Sequence, residues 1–164
     1  MNIEVLSKYR VNEEDTSSII DAVQSRVKNK DISAVVLASM KGKSLLRYGE
    51  ALKGTVQVIG VTEFEYSTSI KKALKKLKVV SIENADLPLQ DNLELRETLL
   101  TFGSGVKAAL EVAVIAAEKE IVSGTILAVG GESGVLDTAI VVNPISPTDA
   151  REKLEILEVL ILPS

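Results

Sequence analysis

Residues 39–44 combine a glycine with two lysines and two serines, at the point where a strand is expected to lead into a helix. Backbone amides and the helix dipole at such a point favour an anion. The alternative is an ordinary strand-to-helix turn with a solvated lysine. A Walker A loop is excluded, because that motif needs another glycine five residues earlier, where this sequence has Leu37. The candidate ligand-binding residues of this segment are Ser39, Gly42, Lys43 and Ser44.

Residues 102–107 form a second glycine-containing segment, which leads into a strongly apolar helix. Gly103 and Gly105 would let the backbone approach a ligand closely, with Lys107 in the first helical turn; the alternative is a helix break that needs a positive φ. Glu111 lies one turn further along, and an acid on an apolar helix needs a partner. That partner is either a ligand or Lys107, which stands four residues earlier.

A third segment, residues 130–134, is rich in glycine and lies between two apolar runs. It is either a hairpin turn or a loop that flanks a ligand. A Rossmann fingerprint is excluded, because the GxGxxG spacing is missing and no helix follows. Asp137, just beyond it, could bind a ligand hydroxyl or cap the turn. The candidate residues here are Gly130, Gly131, Ser133, Gly134, Asp137 and Thr138, and Thr62, after another strand, completes the predicted site.

The composition excludes several kinds of site. The 164 residues include no cysteine, histidine or tryptophan. Disulfides, thiolate nucleophiles, iron–sulfur clusters, histidine bases and histidine metal ligands are therefore excluded. A net charge of −4 with 3% aromatic residues argues against nucleic-acid binding, and the lysines within residues 71–78 are expected to form a solvated face. No aspartate-rich calcium loop occurs, so no metal site is predicted.

The length suits one domain over residues 1–164. No apolar run approaches the roughly 18 residues of a membrane helix. The N-terminus lacks the basic region and apolar core of a signal peptide, so we expect a cytoplasmic protein. Abundant Val, Ile, Leu, Lys and Glu, with little Gln, Cys or Met, is typical of thermophile proteins.

Strands alternate with helices along most of the chain, which predicts an α/β fold with a mixed, mostly parallel sheet and helices on both faces. The predicted helices are residues 15–29, 45–52, 69–78, 93–100 and 106–120, the last one apolar nearly all round and therefore buried. The predicted strands are residues 32–38, 55–61, 79–82, 125–129 and 137–142, an edge strand at 155–162, and a strand or loop at 1–10. A long loop is expected at 83–91. Strands 125–129 and 137–142 are too close for a helical crossover and should pair antiparallel.

The sequence resembles a known family in the order of three segments. These are the apolar strand ending at Ser39, the segment 102–107 with Glu111, and the segment 128–142. The family is the group of small stand-alone proteins related to the C-terminal α/β domain of pyruvate kinase. The resemblance covers nearly the whole chain and implies a three-layer α/β/α sandwich with a mixed sheet of about five strands. The family usually has a threonine where this sequence has Ser44, and the loop between residues 62 and 69 is shorter than usual.

The resemblance implies a phosphate-bearing ligand, with flavin mononucleotide (FMN) as the leading cofactor candidate and a sugar phosphate as the other. Pyruvate kinase activity is not expected, because the catalytic barrel alone needs about 200 residues or more. Two alternatives remain. One is a small enzyme with Glu111 or Asp137 as base and Lys107 as electrostatic stabiliser. The other is a regulatory or structural subunit that forms a homo-oligomer through its apolar helix and its edge strand. Neither a nucleic-acid nor a membrane partner is expected.

Overall fold

The computed structural model of the chain describes residues 6–8, 16–132, 135–144 and 154–163. Its strands are β1 (Leu6–Lys8), β2 (Ala34–Ala38), β3 (Gln57–Val61), β4 (Val80–Ile82), β5 (Ile126–Glu132), β6 (Val135–Pro144) and β7 (Leu154–Pro163). Its helices are α1 (Thr16–Val27), α2 (Lys43–Ala51), α3 (Thr68–Lys76), α4 (Pro88–Asp91), α5 (Leu93–Leu100) and α6 (Ser104–Glu118). The α/β class predicted from the sequence is therefore confirmed.

The seven described strands form one mixed sheet in the order β1-β7-β6-β5-β2-β3-β4. Strand β2 pairs in parallel with both β3 and β5, and β3 pairs in parallel with β4. Strand β6 runs antiparallel to both of its neighbours, β5 and β7, so the predicted antiparallel pair is confirmed. The expected number of about five strands is too low, because β1 and β7 extend the sheet beyond β6.

The sequence predicted an edge strand at 155–162, and the structure confirms this only in part, because a further strand covers the last three residues of β7. The segment Leu6–Lys8 pairs in parallel with the last three residues of β7, starting at Leu6 opposite Ile161. The chain's first described strand thus covers part of the outer side of β7, and the edge on this side is β1. At these three positions β7 is already paired, so it cannot pair there with a second copy of the chain, as the homo-oligomer alternative would require.

Helices lie on both faces of the sheet because strand side chains alternate between two hydrophobic clusters. Val36 and Ile59 point towards the face covered by α6, with α4 and α5 beside it. Val35, Leu37 and Val58 point towards the opposite face, covered by α1, α2 and α3. Strand β2 is buried along nearly its whole length, as expected for a strand that carries neighbours on both edges and both faces.

Helix α6 is the most buried helix of the described chain, and its predicted burial is confirmed. It begins at Ser104, just after Gly103, whose φ of 113° is open to glycine but strained for other residues. The segment at 83–91, expected to be a long loop, contains the short helix α4. Within the described residues, no helix is long and apolar enough to cross a membrane.

The predicted glycine turn at 130–134 is wrong for its first three residues, because β5 extends to Glu132. Gly130 and Gly131 lie within β5 and pair with Thr138 and Leu136 of β6, with a register shift between them. A Cβ atom on Gly130 would overlap backbone atoms of α6, so this glycine lets the helix lie close on the strand. Ser133 and Gly134 lie outside the described residues.

Candidate functional site

A cavity of about 530 Å³ opens at the sheet edge where the parallel strands end. The carboxyl ends of β2, β3 and β5 contribute Ala38, Val61 and Gly131 to its lining. Strand β6 runs the other way, so its first residues, Val135 and Leu136, reach the same edge. Ligands of open α/β sheets bind at this edge, and the volume is in the usual range for small-molecule sites.

The segment 39–44, which leads into α2 and includes its first two residues, forms one wall of the cavity and contributes Ser39, Lys41, Lys43 and Ser44 to the lining. Gly42 adopts a φ of 93°, which turns the chain from β2 into the helix. The amide of Gly42 donates to Ser39 Oγ at 3.2 Å. Among the described residues, no side chain caps the start of α2, and a helix start leaves its first amides without intrahelical partners at the positive end of the dipole.

Two side chains hold this segment in place from the neighbouring loop after β3. Tyr66 donates its hydroxyl to the carbonyl of Ser39 at 2.7 Å, and burial raises the pKa of Tyr66, which keeps the donor protonated. Thr62 Oγ1 donates to the carbonyl of Met40 at 3.2 Å and accepts from the amide of Phe64 at 3.1 Å. Thr62 therefore lines the cavity as predicted, but its hydroxyl already links two loops.

Glu111 and Lys107 form the opposite wall together with the apolar residues of α6. The Glu111 carboxylate accepts from the amides of Leu89 at 2.6 Å and Gln90 at 3.1 Å, at the start of α4. Lys107 Nζ lies 3.7 Å from Glu111 Oε1 and also donates to the side chain of Gln90. The predicted pair four residues apart is present, and two backbone amides add to it.

Burial raises the pKa of Glu111 above its ordinary value, and the amides of Leu89 and Gln90 together with Lys107 offset only part of this effect. A carboxyl of this kind can act as a base, but both oxygens are engaged by backbone amides. Each oxygen keeps a second lone pair, but the two amide hydrogen bonds hold the carboxylate against α4. This cap was not predictable from the sequence, because the carboxylate and the amides belong to separate helices.

Gly105, Asp137 and Thr138 lie together beneath the first turn of α6. A Cβ atom on Gly105 would overlap the Thr138 hydroxyl and the Asp137 carboxylate. Thr138 is fully buried and donates its hydroxyl to Asp137 Oδ1 at 2.8 Å. These three residues are part of the contact between helix and strand, and they are not among the residues lining the cavity.

The predicted site residues thus fall into two groups: those that line the cavity and those that hold the surrounding elements in position. The cavity lining includes Ser39, Lys43, Ser44, Thr62, Lys107, Glu111 and Gly131. The supporting positions are Gly42, Gly103, Gly105, Gly130, Asp137 and Thr138. Lys41 and Glu63 also line the cavity and were not predicted, although each stands directly beside a predicted residue.

The described residues contain no group of three or more acids that could hold a metal ion. The sequence matches no protein-family model and no curated protein. Hypotheses about function therefore depend on the cavity itself.

Proposed function

We propose that the chain binds a phosphate-bearing small molecule in the cavity at the carboxyl edge of the sheet. The observation that carries the proposal is the start of α2, which has no side-chain cap and has Lys43 and Ser44 at the cavity wall. A phosphate oxygen would accept hydrogen bonds from the first amides of α2 and from Ser44. Lys43 and Lys41 would compensate its charge.

Lys107 is expected to contribute less than Lys43. Its ammonium already lies near Glu111 and donates to Gln90, so part of its charge is compensated within the protein. This difference refines the expectation from the sequence, which gave the two lysines equal weight. A mononucleotide such as FMN and a sugar phosphate both carry the phosphate that the site would hold. The resemblance to the pyruvate kinase C-terminal domain supports the same ligand class and remains part of this proposal.

Calorimetric titration with FMN, fructose 1,6-bisphosphate and inorganic phosphate tests the proposal. We expect at least one of the organic phosphates to bind and to raise the melting temperature. The Lys43→Ala variant should weaken that binding about tenfold, which corresponds to about 1.4 kcal/mol. Lys53→Ala removes an exposed lysine that is not part of this cavity and serves as the control. Binding by none of the three, or equal affinity in the Lys43→Ala variant, would overturn the proposal.

A further inference from the structure

Four of the eight polar or charged side chains in the cavity lining already have hydrogen-bond partners within the protein. Thr62 already bonds to Met40 and Phe64, and Ser39 Oγ accepts from a backbone amide. Both oxygens of Glu111 accept from the start of α4. The polar and charged side chains of the lining that form no hydrogen bond or ion pair within the described residues are Lys41, Lys43, Ser44 and Glu63. Three of these four belong to the segment at the start of α2.

The wall away from α2 is mainly apolar. Its two charged side chains, Lys107 and Glu111, are only 14% and 4% exposed and bond to each other and to α4. The rest is formed by side chains from β2, β3, the loop before α4, helix α6 and strand β6, namely Ala38, Val61, Leu87, Ala108, Val112 and Leu136. A polyhydroxylated ring against this wall would give up hydrogen bonds to water without protein partners to replace them. An apolar ring would instead bury its surface favourably. Met40, half exposed and also in the lining, has a flexible side chain that adapts to a flat ring.

We infer that the ligand is an amphipathic phosphate monoester, with its phosphate at the start of α2 and an apolar, ring-like body against the wall formed by Leu87, Ala108 and Leu136. The site should discriminate against sugar phosphates. This inference rests on the proposed function and chooses between the two ligand classes that the proposed function leaves open.

Four probes separate the contributions of the phosphate and the body. Calorimetric titration of the native chain at fixed ionic strength compares 2-naphthyl phosphate with glucose 6-phosphate, which carries the same charged group on a hydroxylated ring. Inorganic phosphate tests the phosphate group without the ring, and 2-naphthol tests the ring without the phosphate. We expect 2-naphthyl phosphate to bind at least tenfold more tightly than each of the other three.

The outcomes distinguish the two proposals. If glucose 6-phosphate or inorganic phosphate binds with an affinity within tenfold of that of 2-naphthyl phosphate, the inference of an amphipathic ligand is overturned. The proposal of phosphate binding then still stands. Binding of 2-naphthol as tight as that of its phosphate overturns phosphate binding itself. Binding by none of the four probes overturns the amphipathic ligand, while FMN and fructose 1,6-bisphosphate then decide the proposed function separately.

Variants of the apolar wall give an independent measurement. Ala108→Asn should lower the affinity for 2-naphthyl phosphate about tenfold and leave the affinity for inorganic phosphate unchanged. Ala73→Asn, on α3 and similarly half-buried, is the matched control away from the cavity. Leu87→Ser alters the same wall from a different element, in case the helix variant is poorly folded. If both wall variants bound 2-naphthyl phosphate as tightly as the native chain does, the inference would be overturned.

Discussion

The buried carboxylate of Glu111 joins helix α6 to the short helix α4. Its two oxygens accept from the amides of Leu89 and Gln90, which are among the groups that a helix start leaves without intrahelical partners. Charge-assisted bonds of this kind stabilise more than neutral ones. Burial nevertheless makes ionisation of Glu111 less favourable in the folded protein than in the unfolded chain. Glu111 therefore stabilises the fold in a way that depends on pH.

Glu111→Gln should change this pH dependence in a defined direction. The native state raises the pKa of Glu111 above its ordinary value of 4.5, so it binds this proton more tightly than the unfolded chain does. The contribution of Glu111 to the free energy of unfolding is thus fully present below pH 4.5 and is lost as the pH rises through the native pKa. The stability of the native chain relative to the variant should fall over that range. Urea denaturation of both proteins between pH 4 and 8 measures this difference.

Glu50→Gln is the control, because Glu50 is an exposed glutamate on α2. The pH-dependent change in stability expected for Glu111→Gln should exceed any change measured with this control. A native-minus-variant difference for Glu111→Gln that rises with pH would contradict the argument, since it would mean that the amides and Lys107 outweigh burial.

The contact between α6 and β5 is the element-level feature on which both the core and the cavity depend. A Cβ atom on Gly130 would overlap the amide of Ala109 and the carbonyl of Gly105, both in the backbone of α6. The absence of a side chain at this position lets the helix lie directly on the strand. The same approach brings Lys107, Ala108 and Glu111 to the cavity wall.

Gly130→Ala should lower the free energy of unfolding by about 3 kcal/mol, at the upper end of the range for overpacked cores. The reason is that the added methyl group meets backbone, which cannot rotate away as the end of a flexible side chain can. Chemical denaturation measures the loss, and amide exchange in α6 should increase.

Gly124→Ala provides the comparison for this substitution. Gly124 has a φ of 73° and nothing within 4 Å of an added Cβ, so its replacement costs only backbone strain. That strain is about 1 kcal/mol. If both variants lost equal stability, close packing at Gly130 would not be the cause.

Helices and strands were predictable where the pattern of apolar residues is local. The run at 34–38 and the apolar helix ending at Glu118 both gave elements close to those expected. The function of Gly130 was not predictable, because glycine is typical both of turns and of close approach between elements. Only the position of α6 decides between these alternatives, and that position depends on residues distant in the sequence.

At the scale of the whole molecule, contacts between distant segments account for what the sequence did not predict. The pairing of β1 with β7 joins the two ends of the described chain, and no local pattern specifies it. Lys43 and Ser44 were predictable as cavity residues because they follow a strand and a glycine. Ala108 and Val112 were not, since apolar residues on a helix look the same whether they face a core or a cavity. Local chemistry thus indicated the polar wall, while the apolar wall required the fold.

Arg26 makes a second long-range contact, between α1 and β7. Its guanidinium donates to Glu158 at 2.8 Å and to both carboxylate oxygens of Asp31, at 2.6 and 2.9 Å. The hydrogen bonds from Arg26 lower the pKa of Asp31. The side chains of Arg26 and Glu158 are only 13% and 21% exposed, so this pair is less screened by solvent than a surface pair.

Arg26→Ala should lower the free energy of unfolding at pH 7 by about 2 kcal/mol, because it leaves a largely buried carboxylate without its charged donor. Arg26→Lys should lose part of this amount, since lysine keeps the charge but not the planar fork. Urea denaturation of Arg26→Ala, Glu158→Ala and the double variant measures the coupling, which should be about 1 kcal/mol or more. Arg47→Ala, which removes an exposed arginine of α2, should change stability by about 0.5 kcal/mol or less. A coupling near zero would mean that apolar packing, rather than this ion pair, holds α1 against β7.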